Sequence, residues 1–254
     1  MFVRGKQRFL YVFAALGSLA LLAAADELRE EFHQTYALAA GGRLSLSNVN
    51  GSVHVTAWDR NEVKVDAVKR ARTQEALKEA EIVVDARADA IEIRTKYPEN
   101  YHGRDAASID YTLTVPKGAR LDQIRTVNGA IDVDGVTGEV RASSVNGAVS
   151  GQRLEGQVNL STVNGRVEAG LLRMDASKSV SLNSVNGQVS LRLPPDASLR
   201  LSAATVHGSI ESDFDLPIRK IGFGPGGNVE TTIGTGGADV RLHTVNGGIR
   251  LARK

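Results

Sequence analysis

Cysteine is absent from the 254 residues, which excludes disulfides, thiolate metal sites, thiol nucleophiles and a lipid-modified N-terminal cysteine. Aromatic residues are scarce at 5%, whereas glycine occurs 26 times and apolar content is ordinary at 42%. That balance suits a core of stacked aliphatic side chains interrupted by many turns. An excess of one charge is lacking as well. The net charge is +2, and residues 1–25 hold three basic residues and no acidic one, so the remainder comes to −1. A near-neutral chain has no global electrostatic case for nucleic acid.

Long hydrophobic runs are limited to FLYVFAALGSLALLAAA (9–25). It follows Arg4, Lys6 and Arg8 and ends in three alanines before Asp26. This pattern predicts a secretory signal peptide over residues 1–25, and with it a periplasmic or cell-surface location. The alternative is an uncleaved anchor, because seventeen apolar residues reach the lower edge of a bilayer span, about 17–25. Membrane contact is expected only through such an uncleaved leader.

What is present in excess is one tetrapeptide. NVNG (48–51), TVNG (126–129), SVNG (144–147), TVNG (162–165), SVNG (184–187), TVHG (205–208) and TVNG (244–247) recur along the chain. From the second copy onward, glycine-to-glycine intervals are 18, 18, 22, 21 and 39. The last spans about two repeats, which predicts a degenerate copy within 209–243. Periods of this size indicate stacked units. Apolar residues alternate on both flanks, as in Val140 and Ala142 or Val189, Leu191 and Leu193. Each unit therefore reads as strand, corner, strand.

Asn-Gly suits a corner because glycine adopts positive φ freely and asparagine tolerates the left-handed region, as does His207 in the variant copy. Two architectures fit: an antiparallel meander of hairpins, or a parallel β-solenoid with 18–22 residue coils. The valine before each Asn favours the solenoid, where a parity reset at the corner turns it inward. Arg250, Arg253 and Lys254 are expected to protect the C-terminal open edge of the stack.

The predicted organisation is 1–25 leader, 26–120 N-terminal strands with a short helix near 73–81, and 121–254 repeat block. Thr73 is the expected N-cap. Strands are expected at 43–68, 82–85, 90–95 and 108–116, with loops at 97–108 and around FGPGGN and IGTGG.

The serial TVNGAIDVDGVTGEV units, the strand ending in VPKGARL and the closing IGTGGADVRLHTVNGGIRL resemble the bacterial β-strand-repeat family labelled "putative adhesin", a domain of unknown function. The similarity covers roughly residues 40–252. It implies a β-helix-like fold and an envelope location, and it brings no catalytic residues.

Candidate chemistry is sparse. The column Asn50, Asn128, Asn146, Asn164, Asn186, His207 and Asn246 could offer amides to a glycan, but turn geometry and Asn–Asn bonding along a ladder explain it more simply. The hydroxyls of Thr126, Ser144, Thr162, Ser184, Thr205 and Thr244 are too many and too alike for a nucleophile, and are expected to bond the corner backbone. His33, His54, His102, His207 and His243 lack metal-ligand spacing. Asp132/Asp134 and Asp213/Asp215 are carboxylate pairs of the kind glycosidases use, but the first pair alternates with inward Ile131 and Val133 and so faces solvent. Trp58, Tyr97 and Tyr101 are the aromatics that could stack on a sugar. The expectation is an exported, non-enzymatic solenoid without cofactor or metal, a scaffold or adhesin-like surface for an envelope protein or glycan, monomeric or weakly self-associating. The rival is a carbohydrate-active lyase or hydrolase. A third possibility is self-assembly through the coil ends.

Overall fold

A computed structural model describes residues 27–98, 107–220 and 226–254. The leader, most of the 97–108 loop with Tyr101 and His102, and residues 221–225 lie outside the described residues.

Alternating apolar residues make short strands throughout. β1 (Leu28–Ala37) precedes a first coil of β2 (Arg43–Ser47) and β3 (Val53–Trp58). Then come β4 (Glu62–Ala71), α1 (Gln74–Glu79), β5 (Glu81–Ala86), β6 (Ala90–Lys96) and β7 (Ser108–Pro116). Four coils follow in series: β8 (Arg120–Asn128) with β9 (Ile131–Asp134), β10 (Val140–Asn146) with β11 (Val149–Leu154), β12 (Val158–Asn164) with β13 (Val167–Leu171), and β14 (Ser179–Asn186) with β15 (Val189–Leu193). β16 (Leu199–His207) and β17 (Ile210–Ser212) make another. β18 (Arg219–Lys220) and β19 (Gly227–Ile233) lead to the last coil, β20 (Ala238–Asn246) with β21 (Ile249–Arg253).

The helix is where Thr73 caps it: the Thr73 hydroxyl accepts from the Ala76 amide at 3.1 Å. It is the one α-helix among the described residues, and the fold is all-β.

Two mostly parallel sheets face each other. The first has ten strands in the order β1-β4-β7-β3-β9-β11-β13-β15-β21-β17. The second has eleven, β18-β19-β16-β20-β14-β12-β10-β8-β2-β6-β5. In each coil the chain crosses from the second sheet to the first at the Asn-Gly corner. Val140 lies beside Val158 on a parallel neighbour, and Val149 beside Val167, so the repeats are not hairpins. Inward residues such as Leu160, Leu182, Val189 and Leu191 are fully buried in one aliphatic core between the sheets.

The stacking order departs from chain order at both ends. β2 and β3 lie between the β6/β7 and β8/β9 layers, and the last coil lies between β14/β15 and β16/β17. The expected degenerate copy in 209–243 forms no coil. Instead β19 runs antiparallel along β16 and covers its outer edge. β20 then takes the parallel slot between β14 and β16. The expectation that Arg250, Arg253 and Lys254 guard an edge is therefore overturned, since β21 is internal. Arg250 instead bonds Asp213 at 2.6 Å, Arg253 stacks 4.6 Å from the Phe214 ring, and the Lys254 ammonium donates to the Leu171 carbonyl at 3.3 Å. Both ends are closed by antiparallel or very short strands: β1 and β5 at one, β17 and β18 at the other.

Candidate functional site

The corner repeats form four columns along the stack. In the first, Ser/Thr hydroxyls point inward and donate to the corner glycine carbonyl of the adjoining coil. Ser144 reaches Gly129 O at 2.8 Å, Thr162 reaches Gly147 O at 2.8 Å, Ser184 reaches Gly165 O at 2.9 Å, Thr244 reaches Gly187 O at 2.9 Å and Thr205 reaches Gly247 O at 2.8 Å. These side chains are buried, and a buried hydroxyl needs such a partner. The column runs further than the tetrapeptides reveal. Asn48 takes the hydroxyl position in the first coil and donates to Ile109 O at 2.9 Å. Thr95, on β6, bonds both Asn48 Oδ1 at 2.9 Å and the Tyr111 hydroxyl at 2.7 Å. Burial pushes the Tyr111 phenol pKa up, so it stays neutral there. The signal for Thr95 was the alternation of Ile91 and Ile93 ending in a threonine, but no Asn-Gly follows it.

The valine column points outward, contrary to expectation. Val49, Val127, Val145, Val163, Val185 and Val206 are 37% to 47% exposed. The strands run on through the Asn, so no parity reset occurs. With the hydroxyl before it fixed inward, the valine must face solvent.

The Asn column forms a continuous amide ladder. Asn128 donates to Asn50 Oδ1 at 2.8 Å, Asn146 to Asn128 at 2.9 Å, Asn164 to Asn146 at 2.8 Å, Asn186 to Asn164 at 2.8 Å and Asn246 to Asn186 at 2.8 Å. His207 lies beside Asn246 in the final rung. One amide hydrogen and one carbonyl lone pair remain free on a typical rung.

The glycine column corrects the conformational argument. Among the described residues no asparagine has positive φ, and Arg153 is the one non-glycine that does. Of the corner glycines, Gly51 has φ 118° and Gly165 stands at 159°, bordering on extended backbone. Glycine is needed because coils approach too closely. A Cβ on Gly129, Gly147, Gly187, Gly208 or Gly247 would lie 1.9–2.2 Å from the carbonyl oxygen of the neighbouring corner glycine. The second corner obeys the same constraint, with Gly156 2.0 Å from Gly138 O. Asparagine is thus chosen for its amide and glycine for its lack of a side chain.

The acidic candidates do not converge on each other across the stack. Asp132 accepts from the Ser150 hydroxyl and lies 3.2 Å from His54 Nδ1, while Asp134 pairs with Arg153. Asp213 is held by Arg250 and by the Arg253 amide at 3.1 Å. β9 and β17 are five strand steps apart in the first sheet, about 24 Å at 4.8 Å per step, so Asp132 and Asp213 cannot share a substrate bond. Among the described residues no group of three or more His, Asp or Glu could hold a metal ion. Trp58 donates to Glu62 O at 2.8 Å and carries Arg60 4.9 Å above its ring; the Tyr97 hydroxyl donates to Ala107 O at 3.0 Å. A depression of about 210 Å³ on the second sheet, lined by Arg43, Ser45, Asp85, Arg87, Glu92 and Asp122, is smaller than typical ligand pockets of about 300 Å³ or more. No described helix is long and apolar enough to cross a membrane.

Stacked parallel strands, close-packed glycine corners and an external amide ladder define a class of all-β repeat protein. The chain belongs to the Toastrack DUF4097 family, matched over residues 43–252, in agreement with the resemblance read from its repeats. A "putative cell adhesion protein" from Clostridium sporogenes ATCC 15579 is similar in structure at TM-score 0.52 and 12% identity, covering 89% of this chain and 100% of that one. A "putative adhesin" from Bacteroides fragilis NCTC 9343 is similar at TM-score 0.43 and 13% identity, covering 89% and 97%. No curated protein matches the sequence.

Proposed function

We propose that this protein is an exported, non-enzymatic β-solenoid that serves as a scaffold or adhesin-like binding surface in the bacterial cell envelope. The observation that carries this reading is the regular outward surface. Side chains repeat rung after rung, and Asp132, Asp134 and Asp213 are tied to neighbouring bases or hydroxyls rather than gathered around one point. Such a surface suits many similar contacts along an extended partner, an envelope protein or a glycan, and not one activated group. Coils of 18–22 residues wound between two mostly parallel sheets support the solenoid description. The leader pattern in residues 1–25 supports export, and the name of the Clostridium relative agrees with adhesion.

The test is retention on arrays of envelope glycans and envelope proteins, assayed together with turnover and with fractionation of the producing cell. The expected result is retention without product and an exported protein. Product formation that disappears with Asp132→Asn or Asp213→Asn would overturn the non-enzymatic reading. A protein confined to the cytoplasm would overturn export.

A further inference from the structure

The outward valines and the Asn ladder lie side by side on one corner of the stack. With the outward row two residues before each valine and the residue after each glycine, they make a strip four columns wide and seven rungs long. Over six intervals of about 4.8 Å, its length is about 29 Å. Its 28 positions contain two arginines, Arg125 and Arg166, no acid and no Phe, Tyr or Trp, in a chain that is 24% charged. Depletion of charge around exposed aliphatic side chains marks the centre of a protein–protein interface. The missing aromatics leave no stacking platform for sugar rings.

We infer that this strip is a lateral self-association surface, on which a second copy of the chain docks. The spacing selects that partner. Same-side residues of an extended peptide repeat at about 6.6 Å, out of step with rungs at about 4.8 Å. A second stack presents valines at the same spacing, so two ribbons can interdigitate along their whole length as identical ladders do in dry sheet-to-sheet contacts. Without acids, two copies can meet with little like-charge opposition beyond the arginines. The ends of the stack are closed by antiparallel and short strands, which directs association to the side. A strip of about 29 by 16 Å, at about 3.3 Å per residue across it, covers roughly 460 Å² in projection. That is below the about 800 Å² per partner of a standard interface, so the dimer is weak and reversible.

Sedimentation of the full chain from about 1 μM to about 1 mM tests this, with dissociation constants in that range expected for a small interface. The expected result is a monomer–dimer equilibrium that Val145→Lys with Val163→Lys weakens at least about tenfold, as removal of central interface residues does. Ser190→Lys, on the outer face of the other sheet, leaves it unchanged. Circular dichroism checks that the double variant is folded; if it is not, Val163→Thr supplies the same comparison and must weaken the dimer. A monomer at every concentration overturns the inference, as does a dimer indifferent to these valines. Peptidoglycan co-sedimentation of a strictly monomeric protein, abolished by the same variants, would assign the strip to a glycan instead and leave the binding-surface reading standing.

Discussion

Replacing Gly147 with alanine should be among the most damaging small changes available in this chain. The added Cβ would lie 2.0 Å from the Gly129 carbonyl oxygen and 2.5 Å from its carbon. Both are backbone atoms and cannot swing aside. Ordinary contact begins near 3.4 Å, so the two coils must part locally by about 1.4 Å. Three bonds span that gap: Gly129 N to Asn146 O at 3.0 Å, Ser144 Oγ to Gly129 O at 2.8 Å and Asn146 Nδ2 to Asn128 Oδ1 at 2.9 Å. At about 1 kcal/mol net each, their loss costs about 3 kcal/mol. For a chain of this size that lowers the melting temperature by about 6–12 °C, at about 2–4 °C per kcal/mol. Gly118→Ala is the control. Nothing lies within 4 Å of its added Cβ and its φ is not positive, so the loss of unfolded-state freedom makes it neutral or stabilising by up to about 1 kcal/mol. Thermal denaturation of both variants decides the matter. If Gly147→Ala melts with the parent, or if Gly118→Ala is equally harmful, close approach is not why glycine occupies the corners.

Asn164→Ala removes two ladder bonds, to Asn146 and from Asn186, and should cost about 1–2 kcal/mol in urea denaturation; no loss would make the ladder ornamental. Thr162→Val deprives Gly147 O of a buried donor and should cost about 1–2 kcal/mol, with Thr162→Ser restoring most of it. His33 bonds Asp66 at 2.7 Å and Glu31 at 3.2 Å, and these bonds, Asp66 first, hold the imidazole pKa above its usual value. The proton therefore helps hold β1 to β4 below about pH 6.5, and this contribution is lost as pH rises through the raised pKa. Hydrogen exchange in β1, corrected for intrinsic rates, should quicken across that rise, and His33→Gln should abolish the dependence. Deleting residues 238–254 removes an internal layer, so β16 to β19 should lose protection as well; unchanged exchange there would contradict the inserted position of the last coil.

Much of this fold was legible because its units are short and repetitive. The alternation around each Asn-Gly located the strands, and Thr73 located the helix to within two residues at either end. The hydroxyl column was foreseeable since an inward Ser or Thr at a corner has only backbone to bond. The valines misled because parity within a strand depends on where the strand ends, and it ends after the Asn. The role of glycine misled because a dihedral argument is local, whereas the constraint is an oxygen 1.9–2.2 Å away in another coil. β1 escaped notice because its apolar residues, Leu28, Phe32 and Tyr36, come at every fourth position with polar residues between. Stacking order was hidden altogether. Each repeat has the same inward and outward pattern, so the sequence of a repeat does not say which repeat lies beside it; β19 occupies the outer edge of β16, and the last coil lies between β14 and β16.

That order is also the most direct test of the account. Without native cysteine, an introduced pair of thiols has only itself to join when oxidation is run at concentrations where the chain is monomeric and the product is scored as a link within one chain. Ala204 is the register partner of His243, and His243 of Asn183. An Ala204→Cys, His243→Cys pair should oxidise readily, since adjacent strands lie about 4.8 Å apart, within disulfide reach. An Asn183→Cys, Ala204→Cys pair, two strands and about 10 Å apart, should stay reduced. The reverse result, with 183 and 204 joined and 204 and 243 free, would mean that the coils stack in chain order and that the arrangement described above is wrong.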